Sequence, residues 1–313
     1  MRFLNQKTNI DFMGKRNLAL VISSILVILA IVILPIRGLN FGLDFTGGTL
    51  VEVAFPTAPE ISAVRDILAA EGLDKAVVQT FGAATDIIIR VPPSETDESD
   101  VDIADRVLAA LKQGIGSDVE KRRGEFVGPQ VGEELTEQGI LAVVYALIGI
   151  FLYVLFRFQW RFSVGAVVAV VHDILFSMGV LSLLQIEFDL TVVAALLAVV
   201  GYSLNDTIVL FDRIRENFPK LGKRTSIEVI NISVNETLSR TLMTSLTTLM
   251  VLVALFYFGG EIIHGFALTL IIGVVVGTYS SIYVASSALL LLNVSKFDLL
   301  VVEKEGVNLD AHL

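Results

Sequence analysis

An aspartate stands inside a run otherwise apolar enough to cross a bilayer: Asp206, within LTVVAALLAVVGYSLNDTIVLF from Leu190 to Phe211. An ionisable group in hydrocarbon is costly, so its default reading is functional, and the chemistry open to a lone carboxyl there is taking up and releasing a proton. Polar side chains gather around it. Tyr202 precedes Asp206 by four residues and Ser203 by three, so both can share its helical face, with Asn205 and Thr207 alongside. On the next apolar run Arg240, Thr244 and Thr248 recur at i, i+4, with Thr241 adjacent and Asn235 a little earlier, which makes a second polar stripe. The chain reverses between the two runs, so Asp206 and Arg240 are expected at similar depth and able to form an ion pair that protonation of Asp206 weakens. A helix contact governed by proton occupancy couples proton flow to movement. The competing reading is static: Arg240 snorkels to the interface and Asp206 serves packing.

A second candidate is His172-Asp173, near the middle of another apolar run. The two can relay protons or simply bond neighbouring helices, and since adjacent helical residues point about 100° apart they need not touch each other. Glu261 and His264 read as solvated loop residues. Covalent catalysis has no support, because no nucleophile accompanies His172, His264 or His312, and HExxH and Walker patterns are missing from the sequence. Zero cysteine excludes disulfides and thiolate metal sites, and no cofactor or metal is expected. The expectation is a protein that is not an enzyme.

The elements that must position these groups are mostly membrane spans. With 54% hydrophobic and 18% charged residues, the 313-residue chain is too apolar for a soluble domain. Apolar runs at about Asn17 to Ile36, Gly139 to Phe156, Phe162 to Leu184, Leu190 to Phe211, Leu242 to Phe258 and Gly265 to Leu292 predict a polytopic α-helical membrane protein with six transmembrane helices. The first run lacks a small-residue cleavage pattern and is expected to remain as an anchor. Basic residues in the leader, at Arg157 and Arg161, and from Arg213 to Arg224 all fall on one side of a six-span zigzag, which puts both termini in the cytoplasm.

Expected domains are a leader (1–16), a first span (17–36), an exterior domain with its junctions (37–138), a five-helix bundle (139–292) containing a cytoplasmic segment (212–235), and a tail (293–313). Within 212–235, apolar Ile227, Ile230 and Ile232 suggest an interfacial helix between the fourth and fifth spans. Strand patterns at Thr49 to Phe55, Val77 to Phe81, Asp86 to Val91 and Asp118 to Val127, with helical periods from Ile61 and from Val101, give β-α-β-β-α-β. That order predicts a ferredoxin-like α+β domain, here exterior, between the first two helices. Its surface, with Glu95 to Asp100, carries much of the net charge of −10 and argues against nucleic acid. Gly42, Asp44, Gly47 and Gly48 before the domain, and Gly128, Pro129 and Gly132 after it, read as hinges. Gly273, Gly277 and Ser281 make a small-residue stripe that fits an internal contact or a partner subunit.

The stretches FGLDFTGGT (Phe41 to Thr49), VGPQVGEEL (Val127 to Leu135), His172-Asp173, GYSLNDTIVLFDRIREN (Gly201 to Asn217) and NETLSRTLMTSLTTL (Asn235 to Leu249) resemble the SecF family. These are membrane subunits of the bacterial SecDF protein-export complex, related to resistance-nodulation-division transporters. The resemblance covers essentially the whole chain. It implies a multi-pass protein of the bacterial cytoplasmic (inner) membrane, with its domain in the periplasm. It further implies work with SecD and the SecYEG channel, YajC being a candidate associate, that uses proton-motive force to promote export and release of a translocating preprotein. Functional roles carry over to Asp206 and Arg240. Two other readings remain: a proton-coupled antiporter of small molecules or lipids, and a non-transporting assembly scaffold.

Overall fold

The computed structural model describes residues 8–93 and 100–295. The first seven residues, all but the last residue of the acidic cluster at 95–100, and the tail from 296 with His312 lie outside the described residues. Six helices are long and apolar enough to cross a membrane, as the hydropathy of the sequence predicts. They are α1 (Arg16–Arg37), α5 (Pro129–Arg157), α6 (Trp160–Leu184), α7 (Leu190–Lys220), α8 (Ser226–Phe258) and a composite last span. That span consists of α9 (His264–Ser280), a π-helical turn (Ser281–Ala285) and α10 (Ser286–Leu291). Between α1 and α5 come β1 (Asn40–Phe41), α2 (Leu43–Thr46), β2 (Gly48–Ala54), α3 (Ile61–Ala70), β3 (Val77–Phe81), β4 (Ala83–Val91), α4 (Asp100–Gly114) and β5 (Glu120–Val127); β6 (Glu187–Phe188) links α6 to α7.

The β2 to β5 strands form one antiparallel sheet in the order β3-β4-β2-β5. Alternation decides which face is covered. Val51 and Val53 on β2 and Ile87 and Ile89 on β4 are fully buried with Val64 and Leu68 of α3 and Val107 and Leu111 of α4. Each such side chain contributes roughly 1.5–3 kcal/mol on burial, enough for a small unit to hold a core without disulfides. Residues of opposite parity, Leu50 and Ile88, turn to the other face and meet Leu43 of α2. The expected loop at 82–85 is largely strand: Gly82, at φ +70°, makes the turn alone and β4 starts at Ala83. Gly48 has φ +109°, and a Cβ there would stand 2.3 Å from the Val91 carbonyl oxygen, so only glycine lets β2 begin beside the end of β4.

Within the bundle, α6, α7 and α9 are the interior helices, whereas α1, α5 and α8 turn most of their apolar surface outward. Small residues permit the close approach of the interior helices. Gly273 faces Val199 and Gly277 faces Ser203, which assigns the small-residue stripe to an internal α7–α9 contact. On the opposite side of α6, Gly179 meets Ala30 of α1.

No separate interfacial helix exists at 212–235, contrary to the sequence expectation. The polar residues instead extend α7 to Lys220 and begin α8 at Ser226, where Thr225 and Glu228 form a capping box across the short turn. At 33 residues, α8 is about 50 Å long at 1.5 Å per residue, well beyond a hydrocarbon thickness of roughly 30 Å. Its first turns therefore project with the end of α7 as a helical hairpin. The segment before α1 is fastened to this hairpin at residues 10–13: Phe12 N–H donates to Asn231 Oδ1 at 2.9 Å, Ile10 N–H to Asn235 Oδ1 at 2.8 Å, and Met13 is fully buried in the core there.

Candidate functional site

Asp206 is 4% exposed on α7, and its Oδ2 is buried without a hydrogen-bond partner; the adjacent Thr207 Oγ1 is in the same condition. Arg240 is exposed on α8, and no ion pair joins it to Asp206 among the described residues, which corrects the expected contact. Its charge nevertheless lies within Coulombic range of the carboxyl. Chain reversal fixed their depths, whereas contact also requires both side chains to point along the line between the helices, and Arg240 points outward. The structure thus holds the two charged groups near each other and apart.

Against Ser203, one turn from Asp206 on α7, lies a fully satisfied carboxyl of α6. Asp173, 1% exposed, accepts from Ser203 Oγ of α7 at 2.5 Å and from Ser280 Oγ of α9 at 2.7 Å on one oxygen. Its other oxygen meets His172 Nδ1 at 2.9 Å, so the adjacent pair does touch. This carboxyl binds the three interior helices at one point, while His172 Nε2 and Ser177 Oγ of α6 remain buried and unpartnered. Ser280 also ends α9 at the start of the π-helical turn, a distortion frequent at functional sites. Ser280 was missed from the sequence because serine is common in spans, although its spacing from Gly273 and Gly277 placed it on the packing face.

A second polar line crosses α7, α8 and α9. Tyr202 donates its hydroxyl to Ser245 at 3.3 Å, and Ser245 shares a 2.6 Å hydrogen bond with Thr278. Of the remaining seam candidates, Thr241 is buried, Thr244 bonds back to the Arg240 and Thr241 carbonyls, Thr248 is half-buried and Asn205 is exposed. Asn235 does not join this seam; it holds the leader.

At the other end of the bundle the glycine-rich stretch after α1 is a docked clasp rather than a free turn. β1 pairs in parallel with β6, Gly42 N–H donates to the Phe188 carbonyl at 2.8 Å, and Asp44 Oδ2 accepts from Leu190 N–H at the start of α7 at 3.0 Å. Behind it, Gly128 and Pro129 end β5 and begin α5 with proline in its first turn, while Gly132 lies against the Phe45 carbonyl and Gly47 against Pro129. Arg90 of β4 forms an ion pair with Glu187 of β6, tying the sheet to the α6–α7 connection.

Burial raises the Glu187 carboxyl above its ordinary value, Arg90 only partly opposes this, and Asp189, Asp44 and Glu125 add to the rise. The folded state therefore binds its proton more readily than the unfolded chain. Stability should fall as pH rises from the ordinary carboxylate range through the raised value. Glu187→Gln is expected to flatten that decline, modestly because the group is partly solvated. Unfolding midpoints followed from acid to neutral pH check this, and an undiminished slope in the variant assigns it to another group.

Known proteins share this arrangement over most of its length. The family model described as "Protein export membrane protein SecD/SecF, C-terminal" matches residues 107–295, and that for the "SecD/SecF GG Motif" matches residues 32–55. The protein translocase subunit SecF of Vibrio alginolyticus is 51% identical over 99% of this chain and 98% of its own. That of Pseudomonas aeruginosa is 50% identical over 93% and 94%. The crystal structure of SecDF from Thermus thermophilus, a translocon-associated membrane protein, superposes with a TM-score of 0.83 at 38% identity. The match covers 94% of this chain and 40% of that one. SecDF in a super-membrane-facing form matches with a TM-score of 0.69.

Proposed function

The chain belongs to the SecD/SecF family of protein-export membrane proteins, and from that premise we propose that it is the SecF-type accessory subunit of Sec translocation, coupling proton-motive force to export and release of preproteins. The observation that carries the coupling is the buried, unpartnered Asp206 Oδ2. Leaving a polar atom unsatisfied in the interior costs roughly 1–3 kcal/mol. That cost is relieved when the carboxyl takes a proton or meets a group from outside the chain. Arg240, near Asp206 and in no ion pair with it among the described residues, supplies a charge whose attraction for Asp206 depends on whether that proton is present. Asp173 acts here as a positioning residue: through Ser203 it fixes the turn of α7 that precedes Asp206.

SecD is the proposed direct partner, seated against outward apolar surface of α5 or α8. SecYEG, the preprotein and YajC complete the proposed assembly. The setting is the bacterial inner membrane, with both termini cytoplasmic and the domain of residues 37–138 in the periplasm. The strand order β3-β4-β2-β5 with two helices on one face supports reading that domain as ferredoxin-like. Its clasp to α6–α7 offers a path by which helix movement tilts the sheet, so Gly42 to Gly48 and Gly128 to Gly132 are the proposed flexing points.

The test is release of a preprotein from membrane vesicles with and without a protonophore. The gradient-dependent increment should vanish when this chain is removed and return when it is restored. An increment of equal size without the chain overturns the proposal.

A further inference from the structure

At the hairpin end of α7 and α8, side-chain hydrogen bonds converge on residues that the proton-coupling site does not use. Arg213 Nε of α7 donates to Glu236 Oε2 of α8 at 2.6 Å. Asn217 Nδ2 of α7 donates to the same oxygen at 2.7 Å and to Ser233 Oγ of α8 at 3.0 Å. On the reading of Asp206 and Arg240 as the coupling pair, we propose that Glu236, held by Arg213 and Asn217, is a positioning residue for Arg240. It sets the roll of α8 against α7 and with it the separation of Arg240 from Asp206.

The junction is more than a surface ion pair. The Arg213 and Glu236 side chains are 37% and 39% exposed, and a pair in that setting alone holds little. Asn217, however, is 4% exposed, and its amide divides its two N–H donors between Glu236 and Ser233. A single contact leaves two helices free to turn about it. Contacts at Ser233 and Glu236, a turn apart on α8, to Asn217 and Arg213, a turn apart on α7, remove that freedom. Arg213 is braced in turn by Glu216 at 3.0 Å, and the same turns of α8 hold Ile10 and Phe12 through Asn235 and Asn231.

Little else fixes the roll of α8. Of its residues after Arg240 only Thr241, Ser245 and Leu252 are buried, and most of its apolar surface faces outward. Glu236 lies four residues before Arg240 on α8, and Arg213 lies seven after Asp206 on α7, spacings of about one and two turns that keep each pair on one helical face. A roll set at the junction is therefore delivered to Arg240 one turn away. With side chains reaching roughly 5–6 Å from the helix axis, a roll of about 20° moves one by about 2 Å. Displacements of that size separate a hydrogen-bonded ion pair from two charges that attract at a distance.

The test exploits the absence of cysteine from the sequence. Asn205→Cys and Arg240→Cys, both at exposed positions, are introduced together into the full-length protein, which is purified and treated with thiol cross-linkers of graded length. One length should dominate in this parent. Glu236→Ala in the same background is expected to raise the yield with the other lengths at least threefold, with an unfolding temperature showing it folded; Arg213→Gln takes its place if it does not fold. Exchanging the charges, Arg213→Glu with Glu236→Arg, should restore the parent profile. An unchanged profile in the folded variant overturns the proposal, as does a change that the exchanged pair leaves unreversed. In vesicles, with Asn205 and Arg240 native, Glu236→Ala should shift the gradient giving half-maximal preprotein release at least twofold, whereas loss of folded protein lowers the amplitude alone. If Asp206→Asn abolishes the increment and Glu236→Ala leaves its half-maximal gradient unchanged, the positioning role falls. If release is indifferent to Asp206→Asn, the coupling reading falls instead, and the cross-linking profile decides the junction by itself.

Discussion

Asp206→Asn should reduce proton-gradient-dependent preprotein release to the level seen with protonophore, a loss of the whole increment, while the protein still assembles with its partner. Asparagine nearly matches aspartate in shape and volume, so the packing of α7 around this position is retained. It cannot take up or release a proton in the relevant range, and it carries no charge for Arg240 to attract. The buried Oδ2 has no protein donor to lose, so the substitution breaks no hydrogen bond at that atom within the described chain. That separates coupling from folding in a way few buried sites permit. Release measured in vesicles across a range of imposed gradients, beside co-purification of the assembled complex, gives both readouts. Full activity in an intact complex ends the coupling proposal. Loss of assembly instead selects the scaffold reading, in which the carboxyl secures subunit contact.

The second large effect is at Asp173. Asp173→Leu removes the hydrogen-bond partner that Ser203, Ser280 and His172 share, leaving the Ser203 hydroxyl and His172 Nδ1 without that partner in the interior of the bundle while Ser280 keeps the Gly277 carbonyl. Breaking a buried charged network by deleting its centre typically costs roughly 3–5 kcal/mol. The expected result is a protein that unfolds at markedly lower temperature or denaturant concentration in detergent. Asp173→Asn keeps a carbonyl oxygen able to accept from both serines and should cost only about 1–2 kcal/mol. The pair of variants distinguishes positioning from proton carriage. If Asp173 only positions α7, the Asp173→Asn protein retains most gradient-dependent release; if it carries protons, the same variant loses release despite its nearly intact stability.

The spans and most of the sheet could be read from the chain because each is written in a single local property. Six apolar runs of bilayer length became six helices, and Val77 to Phe81 alternates its way into β3 with the expected bounds. What escaped was written elsewhere. Asp212 to Lys220 and Ser226 to Asn235 carry more polar residues than the apolar runs beside them while remaining helical, so hydropathy marked the ends of the apolar runs rather than the helix ends. Asp206 and Arg240 show a different limit, since sequence distance along two helices fixes depth and leaves rotation free. Asp173 is visible as a buried acid, yet its partners lie 30 and 107 residues away, and nothing local in either serine announces the contact. The docking of the glycine-rich clasp onto β6 was likewise hidden, because a two-residue parallel pairing leaves no pattern to recognise.

Fastening the leader to Asn231 and Asn235 has a bearing on biogenesis. Phe12 and Asn231 are 219 positions apart, so the first helix is complete long before the residues that secure its beginning leave the ribosome. At roughly 5–20 residues per second of synthesis, that interval is on the order of tens of seconds. Throughout it residues 10–13 lack these contacts, and only after the start of the fifth span emerges can Met13 enter its permanent seat. Insertion of the first anchor and its final locking are therefore separate events in the making of this protein.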